Sequence, residues 1–258
     1  MPLAETLGTV SSGFATFARL GRGIYTRPAT KKPEQLLELY EFESCPYCRL
    51  VREVLTELDL EAMVYPCPKE GERFRPRVVA RGGKAQFPFL VDPNTGRELY
   101  ESADIIAYLF ETYGERPLPR AWRHRGLNLV SSIVATAYRA GAGSRARPSR
   151  APELPLELYS FESSPFARRV RETLCELELP YLLHNVGRTQ AVESVPPAVR
   201  DRLGIEVSPE SDSRKAFAAR AGLMMVPFLV DPNTGAALFE SSAIRRYLLT
   251  TYGTPVES

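Results

Sequence analysis

Hydrophobic and polar positions along the chain predict the order of its first elements. The short apolar and aromatic run LELYEF at residues 37–42 predicts a strand. Apolar residues at helical spacing between 51 and 58 then predict an amphipathic helix. Its polar positions, expected to face water, are Arg49, Arg52, Glu53 and Glu57. A second strand at 62–66 needs a crossover, which predicts a parallel, right-handed βαβ unit.

The following stretch predicts a hairpin and a closing helix. The run FPFLVD at 87–92, the turn PNTG and the run RELYE at 97–101 have the turn chemistry of a β-hairpin. A last helix is expected over 102–113, with Ser102 as its N-cap and Gly114 as its stop. The predicted order is β-α-β-(α)-β-β-α.

This pattern occurs twice in the chain of 258 residues. Residues 37–66 match 156–185 at 16 of 30 positions, and residues 86–114 match 225–253 at 18 of 29. A period above 100 residues indicates a duplicated domain and not a solenoid. Each copy is large enough to bury a core of its own. The second copy carries about 20 additional residues, which predict a surface excursion.

Four segments follow from the repeat. They are an N-terminal helix and linker at 1–36, a first domain at 37–114, a basic linker with a short helix at 115–155, and a second domain at 156–253.

A weaker match lies upstream of both copies. Residues 10–23 resemble 130–143 at 8 of 14 positions, which predicts a short helix at 10–20 and a counterpart of it in the second repeat unit. A serine- and arginine-containing N-terminus taken alone would suggest a transit peptide, but an internal copy of it argues against that interpretation. Any targeting sequence is then expected in the first few residues, or to have been removed already.

Composition and charge narrow the class of protein. Hydrophobic residues make up 44% and charged residues 25%, as in soluble globular proteins, and no apolar run predicts a membrane span. The formal net charge is +2, with a surplus of arginine in residues 115–155. Such a linker can contact nucleic acid or an anionic membrane, or it can be a solvated connector. Because aromatic residues do not alternate with its arginines, we expect no nucleic-acid partner.

Cysteine is the residue that differs between the copies. Cys45 and Cys48 form a C-x-x-C in the first copy, and Ser164 and Ala167 replace them in the second. With no dense cysteine framework, an intracellular, reducing setting is expected, where a C-x-x-C is redox-active or metal-binding.

The C-x-x-C lies where a helix lowers the pKa of a thiol. Cys45 precedes Pro46, which suits the first helical turn, so its sulfur is expected at the positive end of the helix. Arg49 and Arg52 add positive charge nearby. Cys45 is therefore the candidate nucleophile, and Cys48, one turn along, the candidate resolving thiol. Alternatively, the two cysteines could form half of a zinc site or bind an iron–sulfur cluster shared between subunits, but we expect no metal.

The chain resembles glutaredoxins and the amino-terminal domains of glutathione transferases in the order of four features. These are the first strand, the CPYC motif at a helix start, the later FP, and the ES at the start of the final helix. The duplication resembles the tandem thioredoxin-fold proteins of plant plastids and cyanobacteria. The resemblance implies an α/β fold of two tandem thioredoxin-like domains joined by a short helical linker, without the all-helical carboxy-terminal domain of a glutathione transferase. It also implies the chloroplast stroma, or otherwise the cytoplasm.

By the same resemblance, a glutathione pocket is expected in each copy. Pro88 should follow a cis peptide bond, with the backbone of Phe87 pairing with the cysteinyl part of glutathione. Glu101 and Ser102 should hold the γ-glutamyl group. The counterparts in the second copy are Val226, Pro227, Glu240 and Ser241. An edge proline and an ordinary helix cap are the plainer alternatives.

The second copy keeps the pocket residues but has no thiol in its motif. Ser164 either polarises the thiol of glutathione, or the second copy is a degenerate, structural or glutathione-holding partner of the first. Cys175 is expected to be a buried small apolar residue. Cys67 is either a redox companion or a loop thiol.

The function implied is that of a glutathione-dependent thiol–disulfide oxidoreductase or thiol transferase. Glutathione is the expected ligand or cosubstrate, and a disulfide or an electrophile is the expected second substrate. One alternative is a non-catalytic glutathione-binding or redox-sensing module, with the two domains packed as an intramolecular pseudo-dimer. Another is a transferase that conjugates glutathione.

Overall fold

The chain folds into a mixed α/β structure around one twisted sheet. The computed structural model describes residues 21–137, 139, 141–195, 199, 202–205 and 211–254. The strands are β1 Leu37–Glu41, β2 Ala62–Pro66, β3 Phe89–Asp92, β4 Arg97–Leu99, β5 Leu156–Ser160, β6 Tyr181–Asn185, β7 Phe228–Asp231 and β8 Ala236–Phe239. The helices are α1 Pro46–Leu58, α2 Arg75–Gly82, α3 Ser102–Thr112, α4 Arg120–Arg123, α5 Arg125–Ala137, α6 Pro165–Glu176, α7 Asp212–Ala221 and α8 Ser241–Tyr252, with a 3₁₀ turn at Ala191–Ser194.

All eight strands of the described residues lie in a single sheet of order β4-β3-β1-β2-β6-β5-β7-β8. In what we call the first half, β1 pairs parallel with β2 and antiparallel with β3, and β3 pairs antiparallel with β4. The second half, from β5 to β8, repeats these pairings. The halves join where β2 pairs antiparallel with β6, with Ala62 opposite Leu183. We call this junction the seam.

Each half packs helices on both faces of its part of the sheet. In the first half, Leu37 of β1, Val54 of α1 and Leu109 of α3 are fully buried in one core cluster. Tyr40 and Phe89 form a separate aromatic cluster on the opposite face with Val78 of α2. A fully buried leucine or valine contributes about 1.5 to 3 kcal/mol, so these apolar stripes account for why the elements pack as they do.

The prediction that the polar face of the first helix meets water is wrong. Arg49 and Arg52 are 2% and 1% exposed, and Glu53 is fully buried. These side chains of α1 face the second half, where α6 presents Arg168 and Arg171, also buried. What the spacing indicated as a solvated face is an internal contact between the halves.

A network of buried ion pairs, which we call the seam network, fills this contact. Its members are Glu41, Glu43, Arg52, Glu162 and Arg171. Arg52 lies 2.9 Å from Glu162 and 3.2 Å from Glu43, and it also pairs with Glu41. Arg171 lies 3.1 Å from Glu43 and 2.9 Å from Glu162. Each arginine thus pairs across the seam as well as within its own half.

Charge in the seam network is unevenly distributed over its carboxylates. Burial raises the pKa of Glu41 to about 7, against the opposing effect of Arg52. Burial acts in the same direction on Glu162, but Arg171 and Arg52 outweigh it and hold the pKa of that carboxyl at about 2. The two arginines together therefore favour the charged form of Glu162.

The helix of the basic linker lies on the first half. The predicted short helix at 130–143 corresponds to α5, Arg125–Ala137, whose Ser132 hydroxyl donates to the carbonyl of Pro46 at 2.7 Å. It packs on α1 of the first half, although in the sequence it lies before the second copy. Its predicted copy at 10–20 lies outside the described residues. None of the helices in the described ranges has the length and apolar character needed to cross a lipid bilayer.

The start of the closing helix also differs from the prediction. Ser102 is the first residue of α3, and Glu101 occupies the N-cap with φ of 63°. The second half has the same arrangement, with Glu240 at φ of 68° before Ser241. A left-handed conformation at a non-glycine residue turns the chain sharply into the helix, so that the glutamate and the serine lie together at its positive end.

Candidate active site

Cys45 lies at the N-cap of α1. Strand β1 ends at Glu41, the N–H of Cys45 donates to the carbonyl of Phe42 at 3.0 Å, and Pro46 occupies the first helical turn. The sulfur of Cys45 accepts a hydrogen bond from the backbone N–H of Cys48 at 3.2 Å. A sulfur in this position satisfies one of the free N–H groups of the helix, an interaction that favours the thiolate.

Of the four cysteines, Cys45 alone has a lowered thiol pKa. Burial raises the pKa of the Cys45 thiol, but hydrogen bonds from the side chain and backbone of Cys48 outweigh it. Burial raises the pKa of Cys48 well above the ordinary value, and it also raises those of Cys67 and Cys175. Cys175 is buried, as predicted, and its thiol donates to the carbonyl of Gly143 at 3.3 Å.

Helix α5 covers the start of α1. Cys45 is 3% exposed and Cys48 is fully buried. Ser132 and Ala135, on the inner face of α5, are also fully buried, and Ser132 contacts the residue next to Cys45. The sulfur of Cys45 is therefore under cover, next to the charged groups of the seam network and not within a purely hydrocarbon environment.

Two of the predicted pocket residues of the first half, Glu101 and Ser102, lie at the start of α3. The Phe87–Pro88 peptide bond is cis, as the resemblance implies. A cavity of about 140 Å³ is lined by Glu101 and Ser102 together with Tyr47 of α1 and Trp122 of α4. Its lining, within the part of the chain that the structure describes, omits Cys45, Phe87 and Pro88.

Two of the predicted pocket residues, Glu101 and Phe87, are already contacted by other side chains of the first half. The amide of Gln86 donates to the carboxylate of Glu101. The guanidinium of Arg75 lies over the ring of Phe87 at 4.8 Å. In this conformation Glu101 is engaged by the protein itself, and a ligand would have to compete with Gln86 for it.

The second half brings all four of its predicted pocket residues to one cavity. A volume of about 240 Å³ is lined by Val226, Pro227, Glu240 and Ser241, and the Val226–Pro227 bond is cis. Ser164 does not line this cavity, as far as the described residues show. Ser164 is 2% exposed. Its hydroxyl accepts a hydrogen bond from the backbone N–H of Ala167 at 3.2 Å and thereby caps α6.

Sequence reasoning did not predict the seam network. A signal for it was present, because Glu43 and Arg52 recur as Glu162 and Arg171 at the same spacing. In the sequence these residues are simply part of the repeated motif. In the structure, Arg52 pairs with Glu162 and Arg171 pairs with Glu43 across the seam. Among the residues that the structure describes, no three His, Cys, Asp or Glu side chains are grouped as a metal ion would require.

The sequence profile of the family described as glutathione S-transferase, N-terminal domain, matches residues 39–117 and again residues 158–256. These two segments together make up more than half of the chain. The chain belongs to this family. No curated protein matches the chain.

Solved structures similar to the chain are also glutathione transferases. One is the Bombyx mori enzyme BmGSTD1, 27% identical over 37% of this chain and 44% of that chain, with a TM-score of 0.28. Another is a trimeric glutathione transferase of Leishmania, 15% identical over 86% of this chain and 68% of that chain, with a TM-score of 0.27. The match with the Bombyx mori enzyme spans less than half of the length of that enzyme.

Proposed function

We propose that the chain is a tandem pair of thioredoxin-like units that bind glutathione, and that the first unit carries out thiol–disulfide exchange at Cys45. The observation that carries the proposal is the lowered pKa of this thiol at the head of α1, beside three cysteines whose pKa values are raised. The matching strand order of the halves and the two family matches support the tandem arrangement.

The exchange involves two displacement steps. The Cys45 thiolate attacks the glutathionyl sulfur of a mixed disulfide, a Cys45–glutathione disulfide forms as the original S–S bond breaks, and the other sulfur leaves as a thiolate that takes up a proton. A second thiolate then attacks this disulfide, frees the Cys45 thiolate and forms a new disulfide. Since Cys48 is fully buried with a raised pKa, we assign the second attack to another glutathione molecule and not to Cys48.

Glutathione is expected to bind at the glutamate–serine corner of each unit. The ammonium of its γ-glutamyl group suits the carboxylate of Glu101 or Glu240, and its α-carboxylate suits the serine hydroxyl and the N–H groups at the start of α3 or α8. In the first unit this requires Glu101 to exchange Gln86 for the ligand. Access to Cys45 requires a displacement of α5, because Cys45 is covered.

The test is the reduction of a glutathione mixed disulfide by the wild type and two variants. Cys45→Ser is expected to abolish the activity, and Cys48→Ser is expected to retain most of it. Activity that survives in Cys45→Ser would contradict the proposal. Loss of activity in both variants would contradict the assignment of the second attack to glutathione.

Conjugation of glutathione to an electrophile is a competing function that uses Ser164. The position of Ser164 argues against it, because its hydroxyl caps α6 and does not line the described cavity of the second half. Conjugating activity that persists in Cys45→Ser and disappears in Ser164→Ala would instead place the chemistry in the second half.

A further inference from the structure

The outward side of α5 is a row of aliphatic side chains, which we call the outer row. Leu127 and Val130 are 72% and 60% exposed, and Ile133 and Val134 are 46% and 43% exposed. Spacings of three and four residues place these side chains on one side of the helix. A single exposed aliphatic residue is common on protein surfaces, whereas a contiguous apolar row indicates a contact surface.

The opposite side of α5, which packs on α1, has the reverse character. Asn128 is buried, and its amide donates to the carbonyl of Ala121 at 2.9 Å. Ser132 and Ala135 are fully buried, and the hydroxyl of Ser132 donates to the carbonyl of Pro46. Small and polar groups thus face the protein while hydrocarbon faces water, which is the inverse of an ordinary surface helix. The packing of the first half therefore gives no reason for the outer row to be apolar.

Positive charge adjoins the outer row. Residues 116–137 contain four arginines and no aspartate or glutamate. Arg120 and Arg123 of α4 and Arg125 at the start of α5 are exposed. Arg125 lies 3.9 Å from Asp104, but this pair is 72% and 61% exposed and contributes little. In the described part of the chain, no carboxylate pairs with the other two arginines, so the row begins beside positive charge that is largely uncompensated.

The surface that covers the outer row must be apolar, and it must be bordered by negative charge. A second copy of the chain does not meet the second condition. A closed dimer brings the same patch of both copies together, and α4 and α5 contain no acidic residue to pair with the arginines of the other copy. An anionic bilayer meets both conditions, because its acyl chains lie directly beneath its phosphate groups.

We propose that the outer row of α5 binds the surface of anionic membranes. Leu127, Val130 and Val134 enter the boundary between headgroups and acyl chains, and the arginines of α4 and of the first turn of α5 contact phosphate groups. With its 13 residues, α5 lies along the surface in this contact and does not cross the bilayer. The inference depends neither on the binding of glutathione nor on the chemistry of Cys45.

The test is flotation of the full chain with lipid vesicles. The vesicles contain phosphatidylcholine with about one third phosphatidylglycerol, and vesicles of pure phosphatidylcholine serve for comparison. At low salt, the wild type is expected to float with the anionic vesicles only, because the arginines require an anionic surface. Salt at about 1 M should release most of the protein, since it shortens the Debye length to about 3 Å.

The apolar variant Leu127→Gln/Val130→Gln changes two side chains that face water. Its partition onto anionic vesicles should fall at least about tenfold, because two aliphatic groups no longer leave water on binding. The matched control Val79→Gln/Leu154→Gln makes the same two exchanges at positions that are 45% and 54% exposed elsewhere on the protein. The control should bind as the wild type does.

The charge variant Arg120→Gln/Arg123→Gln tests the second part of the contact. Its partition should fall about thirtyfold, because each arginine near an anionic surface contributes about 1 kcal/mol. The matched control Arg145→Gln/Arg246→Gln removes the same net charge at exposed positions outside α4 and α5, and should bind within about threefold of the wild type. Circular dichroism verifies the fold of every variant, and Leu127→Gln alone replaces the apolar variant if the double substitution unfolds the chain.

Four results would overturn the inference. The first is a wild type that does not bind anionic vesicles. The second and third are an apolar variant or a charge variant that binds as well as its own control. The fourth is a wild type that stays off the vesicles and sediments as a dimer, which the apolar substitutions dissociate; the outer row is then an interface between copies of the chain. None of these readouts involves disulfide exchange, so failure of this inference and failure of the proposed function are distinguishable.

Discussion

The carboxylate of Asp92 accepts hydrogen bonds from Tyr108 and Tyr113, and that of Asp231 accepts the corresponding bonds from Tyr247 and Tyr252. Both aspartates also accept from the asparagine of the PNTG turn. These bonds tie each hairpin to the last helix of its half. The repeated sequence PFLVDPNTG is thereby accounted for by the fold, since its aspartate and asparagine serve packing and not the site.

Asp231→Asn is expected to lower the free energy of unfolding by about 1.5 to 3 kcal/mol at neutral pH, because hydrogen bonds to a charged acceptor are lost. Burial raises the pKa of Asp231, but the bonds from Tyr247, Tyr252 and Asn233 outweigh it, so the pKa in the folded protein is lowered. A lowered pKa stabilises the fold above the pKa of the unfolded chain, about 4, and this contribution is lost as the pH falls further.

Urea unfolding at several pH values checks this prediction. The difference between wild type and Asp231→Asn should be largest at neutral pH and should shrink below about pH 4. A difference that is absent at neutral pH, or that stays constant into acid, would show that the charge of Asp231 is not what stabilises the hairpin.

At the scale of elements, α5 packs on α1, the helix that carries the candidate nucleophile at its N-cap. It lies over the start of α1, where the hydroxyl of Ser132 donates to the carbonyl of Pro46, and both Ser132 and Ala135 are fully buried. A thiolate under such a cover is protected from adventitious oxidation, yet it reacts only when the cover opens. The contact between α5 and α1 therefore links the stability of an element to the rate of chemistry.

Ser132→Ala is expected to speed the alkylation of Cys45 by about fivefold, because removing one buried hydrogen bond of about 1 kcal/mol favours opening. Ser131→Ala is the matched control, since the Ser131 hydroxyl donates to carbonyls of its own helix at Leu127 and Asn128. Mass spectrometry of the Cys45 peptide during reaction with iodoacetamide measures the rate. Equal rates in the wild type and Ser132→Ala would mean that α5 does not limit access.

At the scale of the whole molecule, the pairing of β2 with β6 joins the two halves into one sheet, and the seam network adds ion pairs between them. Arg52 and Arg171 each contact glutamates of both halves, and all the charged groups involved are buried. Because an isolated buried charge is far more costly than a paired one, the network favours one relative placement of the halves over others. The halves are therefore expected to unfold together and not as independent domains.

Arg171→Ala is expected to lower the free energy of unfolding by about 3 to 5 kcal/mol, because it leaves Glu43 and Glu162 with less compensation in a buried place. Arg147→Ala is the matched control, since Arg147 pairs with Glu176 at 3.4 Å on the surface and is 56% exposed. The control should change stability by less than about 1 kcal/mol. Urea unfolding measures both, and similar values for the two variants would contradict the role given to the network.

Local patterns predicted much of the fold, and contacts between distant parts of the chain account for the rest. Strand β2 and the start of α1 at Pro46 follow directly from apolar runs and proline placement. The burial of Arg52 does not, because its partner Glu162 lies 110 positions away and an amphipathic pattern assigns polar residues to water. At the site, the cis bond before Pro88 and the place of Glu101 and Ser102 at a helix start were predictable, but the burial of Cys45 depends on tertiary packing.

The most direct test is a pH titration of the ultraviolet absorbance of the thiolate, compared between the wild type and Cys45→Ser. This reading does not depend on reagent access, so the cover over Cys45 does not affect it. The account predicts that the wild type contains one additional thiolate that titrates below the value of free cysteine, about 8.5. A difference between the two proteins that appears only at or above that pH would contradict the claim that α1 holds Cys45 as a thiolate.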